Sequence, residues 1–294
     1  MKNKSMITGY TLVVASAVIF GLMPLMAKYI YLDGVNGVSL VLLRNLFSLP
    51  FLALLTFLTG GSLKINPRAL PSISLIALMG CSVTPALLFC SYNYIPSGTA
   101  TVFHFIYPAA VLVGEFFFLK NKMSKGHLVS VILCVLGIAL FYDPKNTIDL
   151  RGAALALASG VTYAIYIIGL AVFKYKEISG FAFSFYVSLI SSAMMLPFCL
   201  ITGGLTLPAS LTGWGLTVFF AVAINVGAVV LFQRGTFIIG GGRAAILSTF
   251  EPITSILAGF FVFEEHLGIF TLIGSALVIA ASVMIAVFDM KRKS

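Results

Sequence analysis

Residues Gly242 to His266 read GRAAILSTFEPITSILAGFFVFEEH, a run apolar enough to span a bilayer that nevertheless carries a carboxylate, Glu251. A charge placed in hydrocarbon is expensive, so it needs a partner, water or a proton. Displaced by 144 residues, a second copy of the run begins at Gly98: GTATVFHFIYPAAVLVGEFFFLKNK. Gly98 matches Gly242, Ala100 matches Ala244, and Pro108 matches Pro252. Further on, Phe116 and Phe117 match Phe260 and Phe261, Leu128 matches Leu272, and Leu133 matches Leu277. An offset of 144 in a chain of 294 residues is close to one half, the mark of a duplication that builds two related halves around one site.

Sixty per cent of the residues are hydrophobic, 9% are charged and the mean hydropathy is +1.09, which no soluble core of this size reaches. The chain reads as an all-α polytopic membrane protein. Crossing hydrocarbon takes about 20 apolar residues per helix. Charged and turn residues cut ten such runs, at 8–31, 36–58, 69–93, 97–119, 126–142, 150–173, 180–202, 213–234, 241–263 and 268–288. The first follows Lys2 and Lys4, as a signal peptide would, but it is too long and lacks a small-x-small cleavage site, so it reads as a spanning helix. Cys81, Cys90, Cys134 and Cys199 all fall within spans and read as small packing residues.

A net charge of +9 in a soluble chain would point to nucleic acid; here its distribution sets orientation instead. With a cytoplasmic amino terminus, fourteen Lys and Arg fall on the inner side, from Lys2 and Lys4 through Lys120 and Lys125 to Lys293. Only Lys28, Lys145 and Arg151 fall on the outer side, and Arg44 lies inside the second span. The positive-inside rule therefore expects both termini in the cytoplasm, with the basic residues against anionic lipid headgroups. Five spans in residues 1–143 and five in 144–294 make the second half enter from the opposite side, so the repeats are inverted.

Candidate site residues come from polar groups within spans. In the first span Ser16, Phe20, Met23 and Ala27 recur at helical spacing, and the sixth repeats the pattern with Ser159, Tyr163 and Tyr166. Such a face fits a pathway lining and equally fits ordinary packing in a membrane bundle. In the fourth span His104 and Glu115 are eleven residues apart, which on a continuous helix places them about 20° apart in projection, with Tyr107 and Pro108 between them. A His and a Glu on one stripe fit a proton relay, although Glu115 is near the cytoplasmic end, where Lys120 or Lys122 is the simpler partner. In the ninth span Ser248, Glu251 and Ser255 follow i, i+3, i+7 spacing with Thr254 alongside; Ser248 and Glu251 occupy the repeat positions of His104 and Tyr107. Asn225 in the eighth span reads as a pathway residue, with Gln233 and Arg234 nearer the surface. Arg44 reads first as a structural side chain, snorkelling or capping neighbouring carbonyls, and second as a contact for a carboxylate in the cavity.

The ten spans, the half-length repeat and the run LSTFEPITSILAGFFVFEEHLGIFTLIGSALVIAA from Leu247 to Ala281 resemble the EamA family of the drug/metabolite transporter superfamily. Asn121, where a Glu commonly stands in the first half, departs from the family habit. The resemblance implies two inverted five-helix bundles, with spans one to four and six to nine around a central cavity and spans five and ten at the periphery. It also implies carriage of a small metabolite, commonly by export.

The reading is a secondary active transporter, not an enzyme, that moves a small polar metabolite, amino-acid-like or an amine, across the cytoplasmic membrane by alternating access. Proton-coupled export is one drive open to it. Glu251 binds a substrate ammonium or a proton, His104 exchanges protons or donates a hydrogen bond, and Tyr107, Tyr163 and Tyr166 supply aromatic walls, with Ser248 and Asn225 beside them. Uptake of a choline-like quaternary cation is the alternative within the class, through cation–π attraction. A channel is the alternative outside it, and would call for a filter-like loop. A primary pump would need a GxxxxGK[ST] loop. Three scattered histidines, His104, His127 and His266, make no metal site. The expected partners are the solute, protons and membrane lipids, with no cofactor and no nucleic acid; the sequence leaves oligomeric state open.

Overall fold

The computed structural model describes residues 2–118, 120, 123, 125–140, 148–172, 178–202, 204–239, 247–248, 250–264 and 268–293. Their regular structure is all helical, with no strand among the described residues. The first and second spans are Lys2–Leu32 and Gly37–Leu58, the third is Pro67–Ser91, and the fourth is Ser97–Phe118. The fifth, sixth and seventh are Lys125–Ala139, Leu150–Val172 and Gly180–Ile201. The eighth begins with Leu211–Ala221 and ends with Val229–Ile239; the ninth and tenth are Phe250–Phe263 and Ile269–Lys293. Seven of the ten are long and apolar enough to cross a membrane, and the fifth, ninth and tenth are represented by shorter apolar segments. Gly242, Ala244, Lys122, Lys145, Glu265, His266 and the side chain of Gln233 lie outside the described residues.

The packing obeys a two-fold exchange of halves. The first span packs on the eighth and ninth, and the sixth packs on the third and fourth. The second packs on the seventh, the fifth on the tenth, and the fourth crosses the ninth. Exchanging each span with the one five places away maps this set onto itself, as inverted repeats require. The fifth and tenth pair mainly with each other, which makes them peripheral. Their outer faces, with Leu128, Ile132, Leu136, Phe270 and Ile273, are exposed and apolar, the pattern of a surface solvated by lipid. The matched phenylalanines keep the symmetry in detail. Phe116 and Phe117 meet edge to face at 5.2 Å and 79°, and Phe260 and Phe261 at 5.1 Å and 76°, all four exposed.

The third and eighth spans each widen into a seven-residue π-helical turn, Ala77–Val83 and Val222–Ala228. Proline explains how the first is accommodated. Pro85 has no N–H to offer the carbonyl of Cys81, four residues back. In hydrocarbon that oxygen must find another donor. Asn45 Nδ2 reaches it at 3.2 Å and Ser191 Oγ at 3.1 Å, tying the third span to the second and seventh.

Loops of the two halves interlock where the first span joins the second. Asn36 caps the second span by accepting from Ser39 N at 2.8 Å, and its amide donates to Gly204 O at 2.6 Å. Thr206 N donates to Ser39 Oγ at 2.8 Å, and Ser210 N donates to Asp33 Oδ2 at 3.1 Å. Those donors at Ser210 hold the Asp33 carboxyl below the usual carboxylate range. All four cysteines are free thiols within spans.

Candidate functional site

Pro108 cannot donate to the carbonyl of His104, and the helix breaks there. The fourth span is therefore two helices, Ser97–His104 and Tyr107–Phe118, separated by Phe105 and Ile106. The expectation that His104 and Glu115 share a stripe fails for this reason, since the rotation per residue does not carry through the break. In the ninth span Pro252 likewise withholds a donor from Ser248 O, which accepts instead from Glu251 N at 3.0 Å. Ser248 thus sits in a turn ahead of the helix, so the expected i, i+3, i+7 stripe begins one step too early. Both breaks are backed by glycine. A Cβ on Gly160 would lie 2.5 Å from His104 O, and one on Gly21 would lie 2.6 Å from Glu251 O. The sixth and first spans can approach these points only without a side chain.

His104 is 5% exposed, and its Nδ1 lies 2.8 Å from Ser159 Oγ. Ser159 has one proton and gives it to Ala156 O at 2.6 Å. The shared hydrogen bond is then donated by His104, which carries its proton on Nδ1 and leaves Nε2 as an acceptor. The imidazole packs at 5.6 Å from the Tyr107 ring and 5.3 Å from Tyr163. Tyr107 and Tyr163 meet edge to face at 4.9 Å, and Tyr163 stacks on Tyr166 at 5.3 Å and 22°. Gly80 gives the stack its room, because a Cβ there would collide with the Tyr166 ring.

Glu251 lies within electrostatic reach of this column. Its carboxylate acts electrostatically on Tyr92, at the C-terminal cap of the third span, and on Tyr107 and Tyr163 of the fourth and sixth spans. No hydrogen bond or ion pair engages that carboxylate among the described residues. Glu251, Tyr107, Tyr163 and Tyr166 all keep partial exposure. Ser248 is 7% exposed beneath Glu251, and Ser255 is spent on the crossing of spans, bonded to Thr101 at 3.0 Å. Thr101 gives its proton to Ser97 O, so Ser255 is the donor in that pair.

The structure brings together five of the seven predicted site residues, Glu251, His104, Tyr107, Tyr163 and Tyr166, and sets Ser248 next to them. Asn225 stands apart. Its amide donates to Arg44 O, Asn45 Oδ1 and Ser48 Oγ, each at 3.3 Å, and it is 7% exposed. Those contacts lock the eighth span to the second, which is a packing role. Arg44 departs most from expectation. It does not snorkel: the side chain is 6% exposed, with its guanidinium 5.6 Å over the Phe89 ring. Sequence reasoning also passed over Tyr92, whose hydroxyl lies beside Thr101 without reaching hydrogen-bonding geometry. Nothing in a single tyrosine late in an apolar helix marks it out.

The model of the EamA-like transporter family matches residues 7–142 and again 150–287, once per half. An uncharacterized transporter of Archaeoglobus fulgidus is 27% identical over 74% of this chain and 77% of its own length. The uncharacterized inner membrane transporter YicL of Salmonella typhimurium is 25% identical over 95% of both chains. A protein crystal structure superposes on 99% of both chains with a TM-score of 0.67 at 12% identity, a likeness of fold alone. A twice-matched family model, two inverted repeats of apolar helices and polar groups gathered where the halves meet agree: the chain is a multi-pass membrane protein and belongs to the EamA-like transporter family.

Proposed function

We propose that the protein is a secondary active transporter that moves a small polar metabolite, an amine or an amino-acid-like solute, across the cytoplasmic membrane by alternating access. The observation that carries this reading is the Glu251 carboxylate, within electrostatic reach of Tyr92, Tyr107 and Tyr163 and engaged by no ion pair among the described residues. An unmatched acid at that depth is stable only with a proton or a cationic solute to complete it. The tyrosine column supplies ring faces for an ammonium group and a wall for its apolar substituent. His104 Nε2 is an acceptor beside the same rings, suited to hold a hydrogen bond to the solute or a proton in transit.

The symmetry supports alternating access. The halves, residues 1–143 and 144–294, rock about the paired second and seventh spans, and the two broken spans, fourth and ninth, change their exposure to either side. Both termini lie in the cytoplasm in this reading, with the interlocked loops around Asn36 and Gly204 outside. The test is thermal stabilisation of the purified protein by amino acids, amines, quaternary ammonium compounds and nucleobases, run beside Glu251→Gln, followed by uptake of any hit into proteoliposomes. A solute class that stabilises and enters only with the wild-type protein is the expected result. Normal uptake by Glu251→Gln would remove the carboxylate from the mechanism, and ion flux far above carrier rates would make the protein a channel.

A further inference from the structure

Phe89 lies two residues before the end of the third span, and it is fully buried. Three other spans bury it. Tyr31 Oη of the first span donates to its carbonyl oxygen at 3.0 Å. Gly37, the first residue of the second span, faces it without a side chain, since a Cβ there would lie 3.0 Å from Phe89 Cβ and 2.9 Å from the Tyr31 hydroxyl. Arg44 of the second span carries its guanidinium over the ring at 5.6 Å, and Phe220 of the eighth meets the ring edge to face at 6.0 Å and 63°. Around this ring the apolar interior is continuous: Ile30, Leu40, Leu88, Cys199 and Phe220, from the first, second, third, seventh and eighth spans, share one cluster with it. At the opposite ends of the same spans the interior is divided. Ile73, Ile76 and Val187 of the third and seventh form one cluster, and Val13 and Ile239 of the first and eighth form another. A packed core resists parting, so the division marks where spans separate and the single cluster marks where they are shut.

We infer that Phe89 is the outer gate of the transport path: its ring bolts the end of the third span to the first, second and eighth, and the structure is the cytoplasm-facing member of the alternating pair. This inference rests on the alternating-access reading and on the orientation given there, and adds to it the residue that seals one side. Opening outward draws the end of the third span away, which gives up the Tyr31 hydrogen bond, the Arg44 contact and the Phe220 contact together. In a pair of inverted repeats the divided clusters on the cytoplasmic side then come together. Arg44 gains a role of its own: a desolvated guanidinium over a ring face holds that ring in place.

The experiment is amide hydrogen exchange, read by mass spectrometry on the full-length protein without solute, comparing wild type with Phe89→Ala and Tyr31→Phe. Exchange reports local opening segment by segment. In Phe89→Ala, amides at the outer ends, around Val35–Ser39 and Tyr92–Ser97, should exchange several-fold faster, while those at the cytoplasmic ends, around Leu70–Ile76 and Val229–Ile239, exchange more slowly. Tyr31→Phe removes only the hydrogen bond to Phe89 and should show the same opposed pattern at smaller size, which carries the test if Phe89→Ala does not fold. A side chain that merely packs would loosen both sides alike. Faster exchange on both sides, or no change on either, would therefore overturn the gate. No solute enters this measurement, so its outcome is independent of what Glu251 binds; uptake into proteoliposomes judges the transport reading separately.

Discussion

The fourth and ninth spans are the same helix used twice, and they differ where it matters. Both break just before a proline, Pro108 or Pro252, and both breaks are approached closely by a glycine of the opposing half, Gly160 or Gly21. The backbone device is shared. The polar groups hung on it are not: His104 and Tyr107 on one side stand where Ser248 and Glu251 stand on the other. A duplicated scaffold can keep its symmetric hinge while the lining of the site diverges, because the break depends on a missing N–H and the lining only on side chains. The result is an asymmetric set of polar groups at the symmetric crossing of the bundle.

Removing the one charge that breaks the symmetry should have the largest effect. Loss of a charged partner from a desolvated site costs about 2–5 kcal/mol, so Glu251→Gln should lower solute affinity by roughly thirtyfold or more. Equilibrium binding to the purified variant checks it. His104→Gln should cost far less affinity, and an equal loss in both variants would mean that the two spans contribute alike. The next largest effect should be symmetric. Gly160→Ala and Gly21→Ala each press a methyl group against a backbone carbonyl, and overpacking of this kind costs about 1–3 kcal/mol. Comparable drops in Tm, read by unfolding in detergent, would show that the two breaks are equivalent; a drop in only one would show that a single break carries the packing. Asn225→Ala lies off this axis and removes three long hydrogen bonds. It should lower stability by about 1–3 kcal/mol through the orphaned Asn45 oxygen, with solute affinity unchanged within about twofold.

Much of this was legible from residues alone. The 144-residue repeat located the fourth and ninth spans, and the isolation of Glu251 in an apolar run singled it out as a candidate, because periodicity and charge survive without coordinates. Pro108 and Pro252 were visible too, but a proline states only that a donor is missing. Whether the helix bends, widens or stops depends on what the opposite half supplies, here Gly160 and Gly21. The same limit misplaced Arg44 and Asn225. A long cation near one third of a helix can turn toward lipid headgroups or toward the interior, and only the position of Phe89 decides. An asparagine in a span can line a path or bind a backbone, and its partners Arg44 and Asn45 are 180 and more residues away in sequence.

The finest comparison concerns one serine in each half. Ser16 and Ser159 occupy like places in the first and sixth spans, and both are fully buried. Ser16 Oγ donates to Ala228 O at 2.7 Å, at the end of the π-helical turn of the eighth span. Ser159 Oγ gives its proton to its own helix and accepts from His104 at 2.8 Å. Replacing either with alanine removes one buried hydrogen bond, worth about 0.5–1.5 kcal/mol, so the two variants should lose similar small amounts of stability. They should part in the imidazole. Ser159→Ala takes away the acceptor that fixes the Nδ1–H tautomer, whereas Ser16→Ala leaves it in place. Nitrogen-15 shifts of a His104-labelled protein should therefore move in the first variant and stay put in the second. If both leave the shifts unchanged, Ser159 packs against the histidine without setting its proton, and the acceptor at Nε2 loses its basis.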